Sequence, residues 1–354
     1  MIISAGLNSS LLYLYMSEVY DVAVIGAGPV GMMAAYYAGT RGLKPILIDI
    51  LDTLGGQCST LYPEKMIFDV ASQPGCTGSE LIARLTDQLS AIEHDLALGT
   101  SIDSITPSQD DQAKPLWILH THEGKNIIAR VVIIAVGKGA FQPRRLGVPG
   151  EDLQGVYYTV KKLDLFNNKH VLIVGGGDSA MDWALALKSR AESLVQIHRT
   201  DKYRAHGGSL NQVLEAVTAG EMQLKPFYEI KEIHGRDGAV STVTIFDNRS
   251  KMEETFTVDQ IVISAGFLTN LGSIAQWGLQ IDEHQKLIVD PTKGYATNLP
   301  NVFAIGDIAH FEGKVELIIT GFGEAATAAY YAYKAINGEL RGAAWCAKLP
   351  VSAR

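Results

Sequence analysis

Glycines at 26, 28 and 31, and again at 175 and 177 with a small Ala180, are spaced so that backbone can close on a pyrophosphate twice in one chain. The first run is Val24-Ile25-Gly26-Ala27-Gly28-Pro29-Val30-Gly31. The second is Ile173-Val174-Gly175-Gly176-Gly177-Asp178-Ser179-Ala180. In such a turn the first glycine permits the tight bend, and the second lets the backbone approach the phosphates. The third small residue lets the following helix pack on the strand. The helix start then offers unpaired N–H groups and a partial positive charge to the anion. One such turn is a weak signal, because α/β proteins use glycine turns widely. Two imply two dinucleotides on one polypeptide, an arrangement for passing a hydride from one cofactor to another.

The elements around each turn say which dinucleotide it takes. Asp21–Ile25 reads as a buried parallel strand before the first turn. A second strand, Pro45–Asp49, ends in a carboxylate 18 residues after Gly31, placed to accept from an adenosine ribose. After the second turn the strand Ser193–Ile197 runs into His198-Arg199-Thr200-Asp201-Lys202-Tyr203-Arg204. An acid at that strand end favours the ribose 2′-OH of NAD, and basic residues favour the 2′-phosphate of NADP. The expectation is NADPH, with Arg199 and Arg204 on the phosphate and Gly175, Gly177, Asp178, Ser179 and Ala180 in the turn.

The chain has 354 residues, 47% apolar and 19% charged, enough for two globular domains. A net charge of −8 argues against broad nucleic-acid affinity. No apolar run reaches the roughly 18 residues of a membrane span. Residues 1–18 carry no Lys or Arg ahead of Leu11-Leu12-Tyr13-Leu14, so they read as a disordered extension rather than a signal peptide. Cys58, Cys76 and Cys346 are too few for a disulfide framework and have no metal-ligand spacing, which fits a cytoplasmic protein with no metal site.

Near the C-terminus, Asn298-Leu299-Pro300-Asn301-Val302-Phe303-Ala304-Ile305-Gly306-Asp307 precedes Gly321-Phe322-Gly323-Glu324-Ala325-Ala326. This pairing resembles the flavin signature of two-dinucleotide-domain flavoprotein reductases. It implies that Asp307 binds the ribityl–pyrophosphate region of FAD and that the helix near Gly321 faces the flavin N1–C2=O edge. The basic strand end resembles the His-Arg-Arg-x-x-x-Arg motif of thioredoxin-reductase-like enzymes. Arg199 and Arg204 match it, and Thr200 replaces the middle arginine with an uncharged hydroxyl.

Thioredoxin reductases carry Cys-x-x-Cys just before the second turn, where this chain has Tyr157-Tyr158-Thr159-Val160. The glutathione-reductase group carries Cys-x4-Cys after Gly-Gly. Here Cys58 supplies the first position, but the second is Pro63. No internal disulfide relay is visible, so electrons must leave the flavin directly.

Gly55-Gly56-Gln57, Leu61-Tyr62-Pro63-Glu64-Lys65, Gly175-Gly176-Gly177-Asp178-Ser179-Ala180-Met181-Asp182-Trp183 and Lys314-Val315-Glu316-Leu317 resemble the thioredoxin-reductase-like ferredoxin/flavodoxin–NADP⁺ reductases, from about Val19 to Asn337. The resemblance implies an α/β fold of two Rossmann-like domains of the three-layer ββα type. The NADP-binding domain, 150–266, would be inserted into an FAD-binding domain of 19–149 and 267–337, with a tail at 338–354. It implies FAD contacts at Gly26, Gly28, Gly31, Asp49, Gln57, Tyr62, Ile102, Phe141 and Asp307, with Tyr62 stacked on the isoalloxazine. The tail lacks the histidine expected there, and Trp345 is the candidate cap for the other face.

The implied activity is FAD-dependent electron transfer between NADPH, by hydride to flavin N5, and a one-electron carrier, ferredoxin or flavodoxin, in a homodimer. Positioning and electrostatics suffice for such transfer, so no catalytic acid–base pair is named. Arg144, Arg145, Lys161, Lys162 and Lys169 are candidate docking charges for an acidic carrier. Two other readings share every motif: a reductase of quinones or other small acceptors, and a redox-sensing flavoprotein without turnover.

Overall fold

Val22–Ile25, Ile46–Ile48 and Val131–Ile134 are runs of apolar residues buried on both sides, the signature of parallel strands covered on two faces. The computed structural model describes residues 18–139, 142–268 and 270–338, and these divide into two compact units. The first holds described residues 18–59, 66–139 and 270–338; the second holds 60–65 and 142–268.

Both units follow one plan. In the first, the parallel strands lie in the order Val302–Ala304, Asn126–Ile134, Val19–Ile25, Pro45–Asp49, Asp95–Leu98. In the second the order is Val156–Tyr157, Gln260–Ile263, His170–Val174, Ser193–His198, Gln223–Pro226. Each unit adds an antiparallel meander. Ile102–Gln109 and Pro115–Thr121 run into Asn126–Ile134 in the first. Tyr228–Arg236, Ala239–Asp247 and Glu253–Thr257 form it in the second.

In the second unit Val171 and Ile173 face helical residues Met181, Ala184 and Val213. Leu172 faces the opposite way, onto Ile230, Val243 and Ile245 of the meander. The unit is therefore three layers deep, as expected for the ββα type.

The helix Pro29–Gly39 is apolar almost all round and packs against Ile318–Asn337 and Gly78–Leu89. The latter begins with a capping box: Thr77 Oγ1 accepts from Glu80 N at 3.1 Å, and Glu80 Oε2 accepts from Thr77 N at 2.8 Å.

The second unit takes in more than the expected 150–266. Arg144 N donates to Gly266 O at 2.9 Å, and Gln142–Pro143 pairs with Phe267–Leu268, which ties both crossing segments to it. Thr60–Lys65 also falls in this unit, although the residues on either side belong to the first.

Candidate functional site

The two glycine turns correspond position by position. Gly26, at φ +106°, donates to Ile48 O at 2.7 Å; Gly175, at φ +145°, donates to Ile197 O at 3.0 Å. A Cβ at Gly26 would collide with Ala135 O, and one at Gly175 with Ser264 O. A Cβ at Gly31 would strike Gly26 O, whereas the equivalent Ala180 is accommodated and fully buried. At Gly28 and Gly177 an added Cβ meets nothing within 4 Å. These residues cap the helices Pro29–Gly39 and Asp178–Leu187, and neither cap makes a side-chain hydrogen bond. Each helix start thus opens onto space, with donors placed for a pyrophosphate.

In the first unit Asp49 reaches back over its turn. Its Oδ2 accepts from Ala27 N at 2.6 Å and its Oδ1 from Leu51 N at 2.9 Å. Burial pushes its carboxyl above the usual range, against the pull of the Ala27, Leu51 and Ile50 N–H groups. Gly55 N donates to Ala27 O at 2.8 Å, and Gln57 Nε2 lies beside Gly137. Asp307 sits half-buried in the short turn Gly306–Ile308.

Val30 lies against both Gly306 and Gly321, so the starts of the first and last helices converge on this turn. Glu324, buried in the last helix, accepts from Gly306 N at 2.7 Å and pairs with buried Lys314. Lys286 and Lys138 share Glu316. The Ile102 side chain is in the core, and its carbonyl accepts from Ser273 Oγ at 2.6 Å. Phe141 and Trp345 lie outside the described residues.

The second unit contains a cleft of about 750 Å³. Gly175, Gly177, Asp178, Ser179, Arg199, Thr200 and Arg204 line it, together with Lys202, Trp183, Arg144 and Arg145. Arg204 N donates to Gly176 O at 2.9 Å, and Asn248 Nδ2 donates to Arg199 O at 2.8 Å, so both arginines are anchored through their backbone. The Thr200 hydroxyl is engaged with the Lys202 backbone, and Lys202, in the same basic stretch, also lines the cleft. Asp178 Oδ1 accepts from His206 N at 2.7 Å and so fixes the start of the helix Gly207–Thr218.

His198 lies on Gly176 with its ring centroid 5.5 Å from that of Tyr203. Burial pushes its imidazole below the ordinary range. The Arg199 and Arg204 charges act the same way, against a hydrogen bond with the Lys202 backbone.

Leu61, Tyr62 and Lys65 also line this cleft. Tyr62 packs half-buried against the second unit's core. Lys65 pairs with Asp182 at 2.6 Å, and Glu64 Oε2 accepts from Leu163 N at 2.7 Å. No local signal announces a pair 117 residues apart.

Arg145 pairs with Asp152 and Glu151. Glu151 is buried, which pushes its carboxyl up. Donors on Tyr158, Leu146 and Gly147, with the Arg145 charge, more than offset this and hold it low.

Residues 20–329, which include both turns, match the family model described as pyridine nucleotide-disulphide oxidoreductase. The chain belongs to that family. Among relatives, the ferredoxin–NADP reductase of Sulfurisphaera tokodaii is 43% identical over 323 residues, 90% of this chain and 94% of that protein. The ferredoxin–NADP reductase of Thermus thermophilus is 41% identical over 324 residues, 91% of this chain and 94% of that one. The crystal structure of Lactococcus lactis thioredoxin reductase (FR conformation) superposes with a TM-score of 0.76 at 28% identity, covering 90% of this chain and 99% of that one.

The cofactors of this pyridine nucleotide-disulphide oxidoreductase are FAD and NADP(H), and the open turns at Gly28 and Gly177 fit both. The disulphide of the family's name has no counterpart in the motif positions of this member. Cys58 and Cys76 are buried and 18 residues apart in the chain. No helix among the described residues is long and apolar enough to cross a membrane.

Proposed function

We propose that this protein is an FAD-dependent reductase that moves electrons between NADPH and a one-electron carrier, ferredoxin or flavodoxin. The observation that carries this reading is the pair of dinucleotide turns in a chain with no paired cysteines at either redox-motif position. The relatives' names, ferredoxin–NADP reductase, support the same carrier. When bound, the flavin accepts two electrons together and releases them singly, and that chemistry belongs to the cofactor.

The chain's own residues hold and orient. Gly26, Gly28 and Gly31 with the first helix start take the FAD pyrophosphate, and Asp49 its ribose. Asp307 and the start of the helix Ile318–Asn337 face the flavin end, where a helix N-terminus favours negative charge. Gly175, Gly177, Ser179 and the second helix start take the NADP(H) pyrophosphate, with Arg199, Lys202 and Arg204 on the 2′-phosphate. Arg144, Arg145, Lys161, Lys162 and Lys169 are exposed and are the candidate docking charges for an acidic carrier. A cytoplasmic homodimer is part of the same reading, carried by the resemblance.

The test is NADPH-driven cytochrome c reduction with and without added ferredoxin or flavodoxin. The carrier should raise the rate at least about tenfold, and rising salt should abolish that gain while ferricyanide reduction stays level. Equal rates with and without carrier would sink the reading and favour a small acceptor.

A further inference from the structure

We propose that Gln196 is a positioning residue for NADP(H), its buried amide holding the first bend of the second glycine turn in shape. Gln196 lies in the middle of the strand Ser193–His198 and is fully buried. Its Nε2 donates to Gly175 O at 3.0 Å, with Met181 Sδ at 3.6 Å. A carbonyl acceptor requires a donor, which sets which end of the amide faces the turn. The other end, Oε1, is buried with no hydrogen-bond partner. An amide desolvated this way is a liability to the fold.

The first unit shows what the fold alone requires at this place. Val24 pairs with Leu47 as Ile173 pairs with Gln196, and the hydrogen bonds from Gly26 to Ile48 and from Gly175 to Ile197 confirm the correspondence. Leu47 is apolar and fully buried, so a leucine serves there.

The difference follows from the strand end. In the first turn the Asp49 carboxylate holds Ala27 N. In the second, the equivalent residue is His198, whose ring lies on Gly176 and supplies no carboxylate. The second turn is also three consecutive glycines, the least restrained backbone available. Removing the acid from the strand end, as a 2′-phosphate demands, removes the anchor of the turn. Gln196 supplies another anchor, at Gly175 O. The inference rests on the assignment of the second turn to NADP(H).

The test uses the FAD-loaded protein as Gln196→Leu and Gln196→Met, with NADP⁺ binding followed by titration calorimetry. Both variants should keep their FAD content and unfold at the same temperature as the parent or higher. Their NADP⁺ dissociation constant should rise about tenfold, and KM for NADPH should rise with kcat largely kept. A folded, FAD-loaded variant whose NADP⁺ affinity stays within about twofold of the parent would overturn the inference. So would loss of cooperative unfolding in both variants, since the amide would then belong to the fold. A parent that fails to bind NADP⁺ at all would overturn the functional reading beneath it as well.

Discussion

Lys65 and Asp182 meet at 2.6 Å, and each belongs to a segment that carries this chain's resemblance, Leu61–Lys65 and Gly175–Trp183. Their pairing gives a physical reason for both. The segment Thr60–Lys65 is held on the second unit by this ion pair, by Glu64 on Leu163 N and by Tyr62 against the core. Both side chains of the pair are about a quarter exposed, so its worth is about 1 kcal/mol or less. Asp182→Asn should lower the unfolding free energy by that amount, with less effect at high salt. The exchange Lys65→Asp with Asp182→Lys should recover most of it in urea titrations.

The paired glycines of each turn should separate fold from binding. Gly175→Ala meets both a left-handed φ and the Ser264 carbonyl, so it should cost more than about 2 kcal/mol of stability. Gly177→Ala meets nothing and should unfold like the parent. It places a methyl where the pyrophosphate approaches, however, and should weaken NADP⁺ binding about tenfold or more. Thermal unfolding and NADP⁺ titration on the same samples decide both.

Asp49 should carry a pH signature. Its folded carboxyl is raised by burial, so the folded state takes up a proton more readily than the unfolded chain. Its contribution to stability is then fully present below the unfolded carboxylate pKa and is lost as pH rises through the folded value. Asp49→Asn removes this loss. The apoprotein variant should gain on the parent in urea midpoint as pH rises through that window, with a constant margin above it. FAD should meanwhile bind about tenfold more weakly, because the ribose loses a charged acceptor.

Lys314 and Glu324 form a pair almost wholly removed from water. Lys314→Met leaves the Glu324 carboxylate buried without its cation and should cost about 3–5 kcal/mol. Adding Glu324→Leu should recover only part of this, since Gly306 N then loses its acceptor. Urea denaturation of the FAD-loaded protein measures the difference.

Arg199→Ala should raise KM for NADPH more than about tenfold while moving KM for NADH less than about twofold, because only the 2′-phosphate loses its partner. Steady-state dye reduction with each nucleotide is sufficient.

The glycine turns, the Asp49 strand end and the basic strand end were legible because each is local. A bend, a close approach and a charge sit within a few residues of one another. The destination of Thr60–Lys65 was not, because nothing in Leu61-Tyr62-Pro63-Glu64-Lys65 tells which core the tyrosine enters. Asp178 reads as a ligand by its place in the motif, yet its carboxylate is engaged with His206 N, a partner fixed only by the tertiary fold. Gln196 and Glu151 were invisible for the same reason. A polar residue in an apolar strand or a turn carries no mark of the backbone groups it will satisfy.

The shared plan of the two units puts their difference in plain view at the end of one strand. Asp49 and His198 occupy the same place on equivalent scaffolds. One backbone, drawn twice, thus carries an acid in one half and an imidazole in the other without either sheet being redrawn.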